Sequence, residues 1–208
     1  MISPPGSRAL AGALSAAALL VYFHSKGLAH DPVSGSSPGA AVRRTVNVPI
    51  GDFSLTDQDG QAFRFISLKG KVLLVTFFYT TCPDLCPLVT TSVRAVQKAL
   101  NAWERDGTFF LSITTDPDVD VPAVLKSYAG RYGADLANWS FLTGEPRALA
   151  PVWKAFGVKV ERKARGLVDH TLVTGLIDRK GVLRIVYHGA APDAEKVLRD
   201  LRGLLASR

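Results

Sequence analysis

The stretch "KVLLVTFFYTTCPDLCPLV", Lys71 to Val89, decides how the rest of this 208-residue chain is read. Its first nine residues, Lys71 to Tyr79, are a near-continuous β-branched and aromatic run, the mark of a strand buried on both faces. Directly behind it stand Cys82 and Cys86, the chain's only two cysteines, each followed by a proline. Beyond them Val89, Val93, Val96, Leu100 and Trp103 recur at three- and four-residue spacing. That spacing predicts a helix with one apolar face, ending by Asp106-Gly107. The order is strand, dithiol, helix.

The flanking sequence continues the alternation. "FSLTDQDGQAFRF" reads as two short strands around a turn at Asp59-Gly60. "TFFLSITTD" (Thr108 to Asp116) is a second buried strand, with Asp116-Pro117 shaping a turn, and Pro122 opens a helix. "WSFLTG" (Trp139 to Gly144) predicts a short strand, and "PRALAPVWKAFGV" (Pro146 to Val158) a helix. "HTLVTGLID" and "GVLRIVYHG" predict a hairpin turning at Arg179-Lys180-Gly181. Pro192 and Asp193 start a last helix, with Val197, Leu198, Leu201, Leu204 and Leu205 facing inward. Trp103, Trp139 and Trp153 are all expected in the core. Helices alternating with strands that finish in a hairpin give an α/β fold with a mixed central sheet flanked by helices. The strand–cysteine–helix opening makes it thioredoxin-like.

The amino-terminal region has a different character. "ALAGALSAAALLVYF" (Ala9 to Phe23) is uncharged, preceded by Arg8 and followed by Lys26. It is shorter than the roughly 20 residues of a spanning helix and fits a secretory apolar segment of about 7–15 residues. Residues 1–29 are therefore expected to be a signal or anchor segment. "HDPVSGSSPGAA" (His30 to Ala41) reads as a flexible linker, and 42–208 as the folded domain. Export to a bacterial periplasm, with tethering to the inner membrane, is favoured over the mitochondrial intermembrane space, because no Arg- and Ser-rich transit peptide is visible. The net charge of +7 is scattered rather than interleaved with aromatics, which argues against a nucleic-acid partner.

Two thiols four residues apart leave three chemistries open: a structural disulfide, a redox couple, or metal ligands. Inside a regular helix their Cβ atoms would lie about 5–6 Å apart, against about 3.5–4.5 Å in a disulfide. Pro87 is expected to push Cys86 out of the helical region, placing Cys86 at the helix N-cap and Cys82 in the loop before it. There the amide dipoles favour a thiolate. A structural disulfide would close too short a loop to stabilise much. As metal donors, two thiolates are soft and select Cu(I), zinc or iron–sulfur centres. A third donor is then required, since two cysteines do not complete a site. Of the four histidines, His24 and His30 fall in the anchor and linker, and His188 lies late in the last strand. His170, in "GLVDHTLV", is expected on the loop entering a strand. Asp84 between the cysteines and Tyr79 at the strand end are further neighbours, each with an equally ordinary structural use.

Four segments together resemble the SCO/SenC family of copper-binding proteins: "GDFSLTDQDGQAF", "GKVLLVTFFYTTCPDLCPLV", "LSITTDPDVDVPAVLKSYAGRYG" and "VDHTLVTGLIDRKGVLRIVYHG". They span nearly all of residues 50–190. The resemblance implies a thioredoxin fold and a membrane tether. It also implies a role in assembling the binuclear CuA centre of cytochrome c oxidase. By the same resemblance Cys82, Cys86 and His170 carry over as copper ligands. The implied partners are the CuA-bearing oxidase subunit and an upstream periplasmic copper donor. The segment Val160 to His170 is basic and short for the family's loop leading to the histidine.

A copper metallochaperone is thus the first expectation, with no enzymatic activity required. The alternative is a tethered thiol–disulfide oxidoreductase that keeps the CuA-site cysteines of its client reduced. A peroxidase of the peroxiredoxin type is disfavoured, because no distant resolving thiol exists.

Overall fold

The computed structural model describes residues 41–189 and 192–207. The expected signal or anchor segment and nearly all of the expected linker lie outside the described residues. No helix among the described residues is long and apolar enough to cross a membrane.

In chain order the strands are β1 (Val42–Pro49), β2 (Ser54–Thr56), β3 (Ala62–Arg64), β4 (Val72–Phe78), β5 (Thr108–Thr114) and β6 (Trp139–Leu142). They continue with β7 (Val160–Arg162), β8 (Val168–His170), β9 (Val173–Ile177) and β10 (Val182–His188). The helices are α1 (Leu85–Ala99), α2 (Ala102–Asp106), α3 (Pro122–Arg131), α4 (Pro146–Ala155) and α5 (Ala194–Ala206). Six strands form one sheet in the order β1-β10-β9-β4-β5-β6. The neighbours β4, β5 and β6 run parallel, while β9, β10 and β1 are added antiparallel. The sheet is mixed, as the alternation of elements predicts.

The reason β4 reads as unbroken apolar sequence is that both of its faces are covered. Leu74 and Phe78 pack with Val89, Val93, Tyr128 and Leu201 from α1, α3 and α5 on one side. Leu73, Val75 and Phe77 pack with Leu149 and Val152 of α4, and with Phe156 just after it, on the other. All seven residues of β4 are buried. Burial of that kind is the dominant stabilising term, at about 25 cal/mol per Å² of apolar surface.

Three expectations change. The helix read through to Trp103 stops at Ala99, and Leu100 turns extended. Asn101 then caps a separate helix: its side chain accepts from Glu104 N–H at 3.0 Å, and the Glu104 carboxylate accepts from Asn101 N–H at 3.0 Å. That restart rotates Trp103 out of the core, leaving it 64% exposed. Trp139 is fully buried as expected, and Trp153 is half-buried with its indole N–H donating to Thr114 O. Finally, His170 does not lie on a loop. It ends β8, which pairs with β7 as a small sheet of its own.

Topology brings the chemistry to one end of the main sheet. Because β9 is antiparallel to β4, with Thr76 opposite Thr174, the start of β9 lies beside the end of β4. The cysteine loop leaves β4 at that end. His170, at the end of β8, precedes the start of β9 there.

Candidate metal centre

Cys82 lies in the turn after β4, held by its own N–H donating to Tyr79 O at 3.2 Å. Cys86 is not the N-cap. That place belongs to Asp84, and Cys86 is the second residue of α1, with Pro87 third. The first turn tolerates Pro87 because its missing N–H has no partner within the helix anyway. The Asp84 carboxylate makes no capping bond. The acceptor is the Cys82 sulfur, which receives Cys86 N–H at 3.4 Å.

This asymmetry separates the two thiols. Hydrogen bonding with the neighbouring Cys86 thiol, together with the backbone amides at the start of α1, outweighs burial, so the Cys82 thiol is pulled down to about 5. Cys86 is 1% exposed, and the same hydrogen bond plus burial pushes its thiol up. Both sulfurs are free thiols rather than a disulfide. The amides therefore serve Cys82, in the loop, and not the residue expected to cap the helix.

His170 faces them. Its Nε2 lies 4.0 Å from Cys86 Sγ, and its Nδ1 lies 3.1 Å from Thr171 O. A carbonyl only accepts, so Nδ1 carries the proton and Nε2 presents a bare lone pair. Burial lowers the imidazole's proton affinity, which keeps it neutral. The Tyr79 ring stands edge-on to the imidazole at 5.9 Å. Burial and the neighbouring Cys82 charge push the Tyr79 phenol up to about 12, so it stays protonated.

The three side chains share a cleft of about 400 Å³, walled by Leu85, Leu167 and Leu172 and edged by Asp84, Lys163 and Asp169. His188 is not among its lining residues. Among the described residues no three His, Cys, Asp or Glu side chains form a ready-made ligating cluster. The spacing is nonetheless compatible with one ion. A sulfur at about 2.3 Å and a nitrogen at about 2.0 Å from a common first-row metal lie no more than about 4.3 Å apart, and 4.0 Å falls inside that limit. Two sulfurs and one imidazole nitrogen form a soft-to-borderline set, suited to copper more than to hard cations.

Sequence reasoning missed Asp116 and Arg162. Asp116, read there as a turn residue, is 1% exposed and forms an ion pair with Arg162 of β7. Arg162 also reaches Asp118, at 2.8 Å. Asp120 is fully buried and accepts from the Thr80 N–H, the Thr80 hydroxyl and the Thr114 hydroxyl. Nothing local in the sequence signals these partners, which lie 40 and 46 residues apart.

A vicinal thiol pair at the end of a central parallel strand, with an imidazole set across from it, defines a thioredoxin-like protein with a thiol–imidazole site. More particularly, the chain belongs to the SCO1/SenC family, whose model matches residues 43–206. It is 36% identical over 106 residues to a SCO1 protein homolog of Bacillus subtilis, a match covering 51% of this chain and 54% of that protein. The chain thus spans about half the length of that relative. Among solved structures, a SCO1/SenC family lipoprotein from Bacillus anthracis is 33% identical, with a TM-score of 0.69 over 79% of this chain and 99% of that one. Bradyrhizobium japonicum ScoI with copper bound is 31% identical, with a TM-score of 0.64 over 76% and 99%. BsSco, described as having a disulfide switch and as a member of the Sco family of cytochrome c oxidase assembly proteins, is 27% identical. Its TM-score is 0.69 over 80% and 99%.

Proposed function

We propose that this protein is a copper metallochaperone that carries copper on the thiolates of Cys82 and Cys86 and the imidazole of His170. The observation that carries the reading is the 4.0 Å approach of His170 Nε2 to Cys86 Sγ, with Nε2 unprotonated and the second sulfur beside the first. The thiolates suit Cu(I), and the imidazole lets the site tolerate Cu(II). Transfer proceeds by ligand exchange. The client is the CuA-bearing subunit of cytochrome c oxidase, supported by the description of BsSco as belonging to a family of oxidase assembly proteins. An upstream periplasmic copper donor loads the site. The apolar segment Ala9 to Phe23 exports the protein and holds it at the inner membrane, a placement supported by the lipoprotein nature of the Bacillus anthracis relative.

The test is copper titration of the reduced protein beside His170→Ala. One copper per chain is expected, bound more weakly and with an altered thiolate-to-Cu(II) absorption when His170 is absent. Binding indifferent to His170 overturns the assignment.

A second reading is favoured by the low Cys82 proton affinity and its half-exposed position. In thiol–disulfide exchange the Cys82 thiolate attacks a client disulfide and expels one client thiolate, forming a mixed disulfide. Cys86, after losing its proton, then attacks Cys82 and releases the second client thiolate. The client gains two electrons and this chain is left with a Cys82–Cys86 disulfide. Cys86→Ser should trap the mixed disulfide, and failure to capture any client removes the role.

A further inference from the structure

The strands β7 and β8 share no ladder with the main sheet. Beyond its chain connection through Thr171 and Leu172 into β9, the hairpin that ends in His170 is held against the body by side chains. Val168 is buried in the core beside α1 and α5, and Val160, directly opposite His170, packs against the body as well. Among the described residues the charged tie between hairpin and body is Arg162, opposite Val168 in the hairpin, whose guanidinium is shared between Asp116 and Asp118.

That tie is anchored in an unusually firm place. Asp116 is 1% exposed and its Oδ2 has no hydrogen-bond partner; among the described residues, Arg162 is the cation paired with this buried carboxylate. Next to it, Thr115 N–H and the Thr115 hydroxyl both donate to Phe78 O, at 2.7 and 3.1 Å. Phe78 is the last residue of β4, four positions before Cys82. A short path thus runs from the thiols, through the end of β4, to Thr115, Asp116 and Arg162, and back up the hairpin to the imidazole. An exposed ion pair contributes little, but removing one partner of a buried one strands a charge.

We propose that Arg162 is a positioning residue for His170, tying the free-standing β7–β8 hairpin to the strand end that bears the thiols and so setting the distance from imidazole to sulfur. It touches neither sulfur nor imidazole itself. The ligand-binding part of this inference rests on the copper reading, whereas the tie between hairpin and body does not.

The experiment pairs a metal-free and a metal-bound readout on the full chain, comparing wild type, Arg162→Ala, Arg162→Lys, His170→Ala and Arg162→Ala/His170→Ala. In the metal-free protein, amide hydrogen exchange at residues 160–170 should accelerate at least about fivefold in Arg162→Ala, with α1 and α5 unchanged. Cu(II) affinity should fall about 10- to 100-fold, the range expected for losing support of a metal ligand, and the thiolate-to-copper band should shift toward that of His170→Ala. The double variant should bind no more weakly than His170→Ala alone. Arg162→Lys, which keeps the charge but not the fork, should fall between, and it replaces the alanine variant if the latter does not fold. Unchanged exchange in the hairpin overturns the inference. So does an affinity loss of the same size with and without His170. If wild type binds no copper, the chaperone reading fails, and the exchange data still decide the tie.

Discussion

The Cys82 sulfur accepts the Cys86 backbone N–H at 3.4 Å, taking the place that a capping side chain would hold. One cysteine thereby serves as the electrostatic cap of the helix in which the other is buried. The two thiols are chemically unlike even though both follow the same strand.

The pH dependence follows with a definite sign. Alkylation of Cys82 by iodoacetamide should rise through a midpoint near pH 5, while Cys86 stays unreactive through neutral pH. Removing the strongest donor with Cys86→Ala should move the Cys82 midpoint upward. A folded-state value below the ordinary 9.0 means the unfolded chain holds the extra proton between the two values. Stability should therefore rise with pH from about 5 to about 9 relative to Cys82→Ser, and be lost as pH falls through 5. Mass-spectrometric labelling and urea titration at several pH values check both statements. A single midpoint near 9 for both cysteines contradicts them.

Asp120 supports the cysteine loop from beneath, through Thr80. Asp120→Ala removes the acceptor for three donors around a fully buried position, and should destabilise by about 2–4 kcal/mol. Asp120→Asn keeps an acceptor and should cost less. Denaturant midpoints rank the two, and equal loss in both would show that the position needs both carboxylate oxygens rather than one acceptor.

The tryptophans should divide sharply. Trp139, fully buried with its indole N–H donating to Ser112 Oγ, should cost about 3–5 kcal/mol when replaced by alanine. Trp103→Ala should stay within about 0.5 kcal/mol, as its side chain stands in solvent.

Breaking the cap that turns Trp103 outward has its own signature. Asn101→Ala leaves the Glu104 N–H without its acceptor and should cost about 1 kcal/mol in thermal or urea unfolding. Copper binding should be unchanged. A coupled loss of metal affinity would mean that the α1–α2 joint communicates with the cleft.

Much of the fold was legible because its strands advertise their burial. The largely apolar runs of β4 and β5 and the helical spacing of α1 follow directly from strands and helices packed on two sides. The edge strand β1 was missed because only one of its residues is even partly buried, so its side chains carry little pattern. The β7–β8 hairpin was missed because its strands are three residues each, too short for period-two alternation to stand out in a basic stretch. Asn101-x-x-Glu104 did signal a helix start, but the apolar spacing through Leu100 and Trp103 masked it. At the site, residue type and spacing singled out Cys82 and Cys86, and the resemblance to the SCO/SenC family added His170. The division of labour between the cysteines was not readable, because it depends on which sulfur the amides meet. Arg162 was silent, since its meaning lies in a carboxylate brought near only by the fold.

The strand order has a consequence for how the chain matures. Cys86 and His170 are 84 residues apart, and they meet only when β9 inserts between β4 and β10. Until then β4, every residue of which ends up buried, has one open edge, and such late, long-range pairing is slow. A chain still emerging in order of synthesis displays a reactive dithiol well before it owns the imidazole. The finished cleft is therefore a marker of completed folding. During its assembly the two thiols are most in need of a reducing surrounding, and the unpaired edge is most exposed to aggregation.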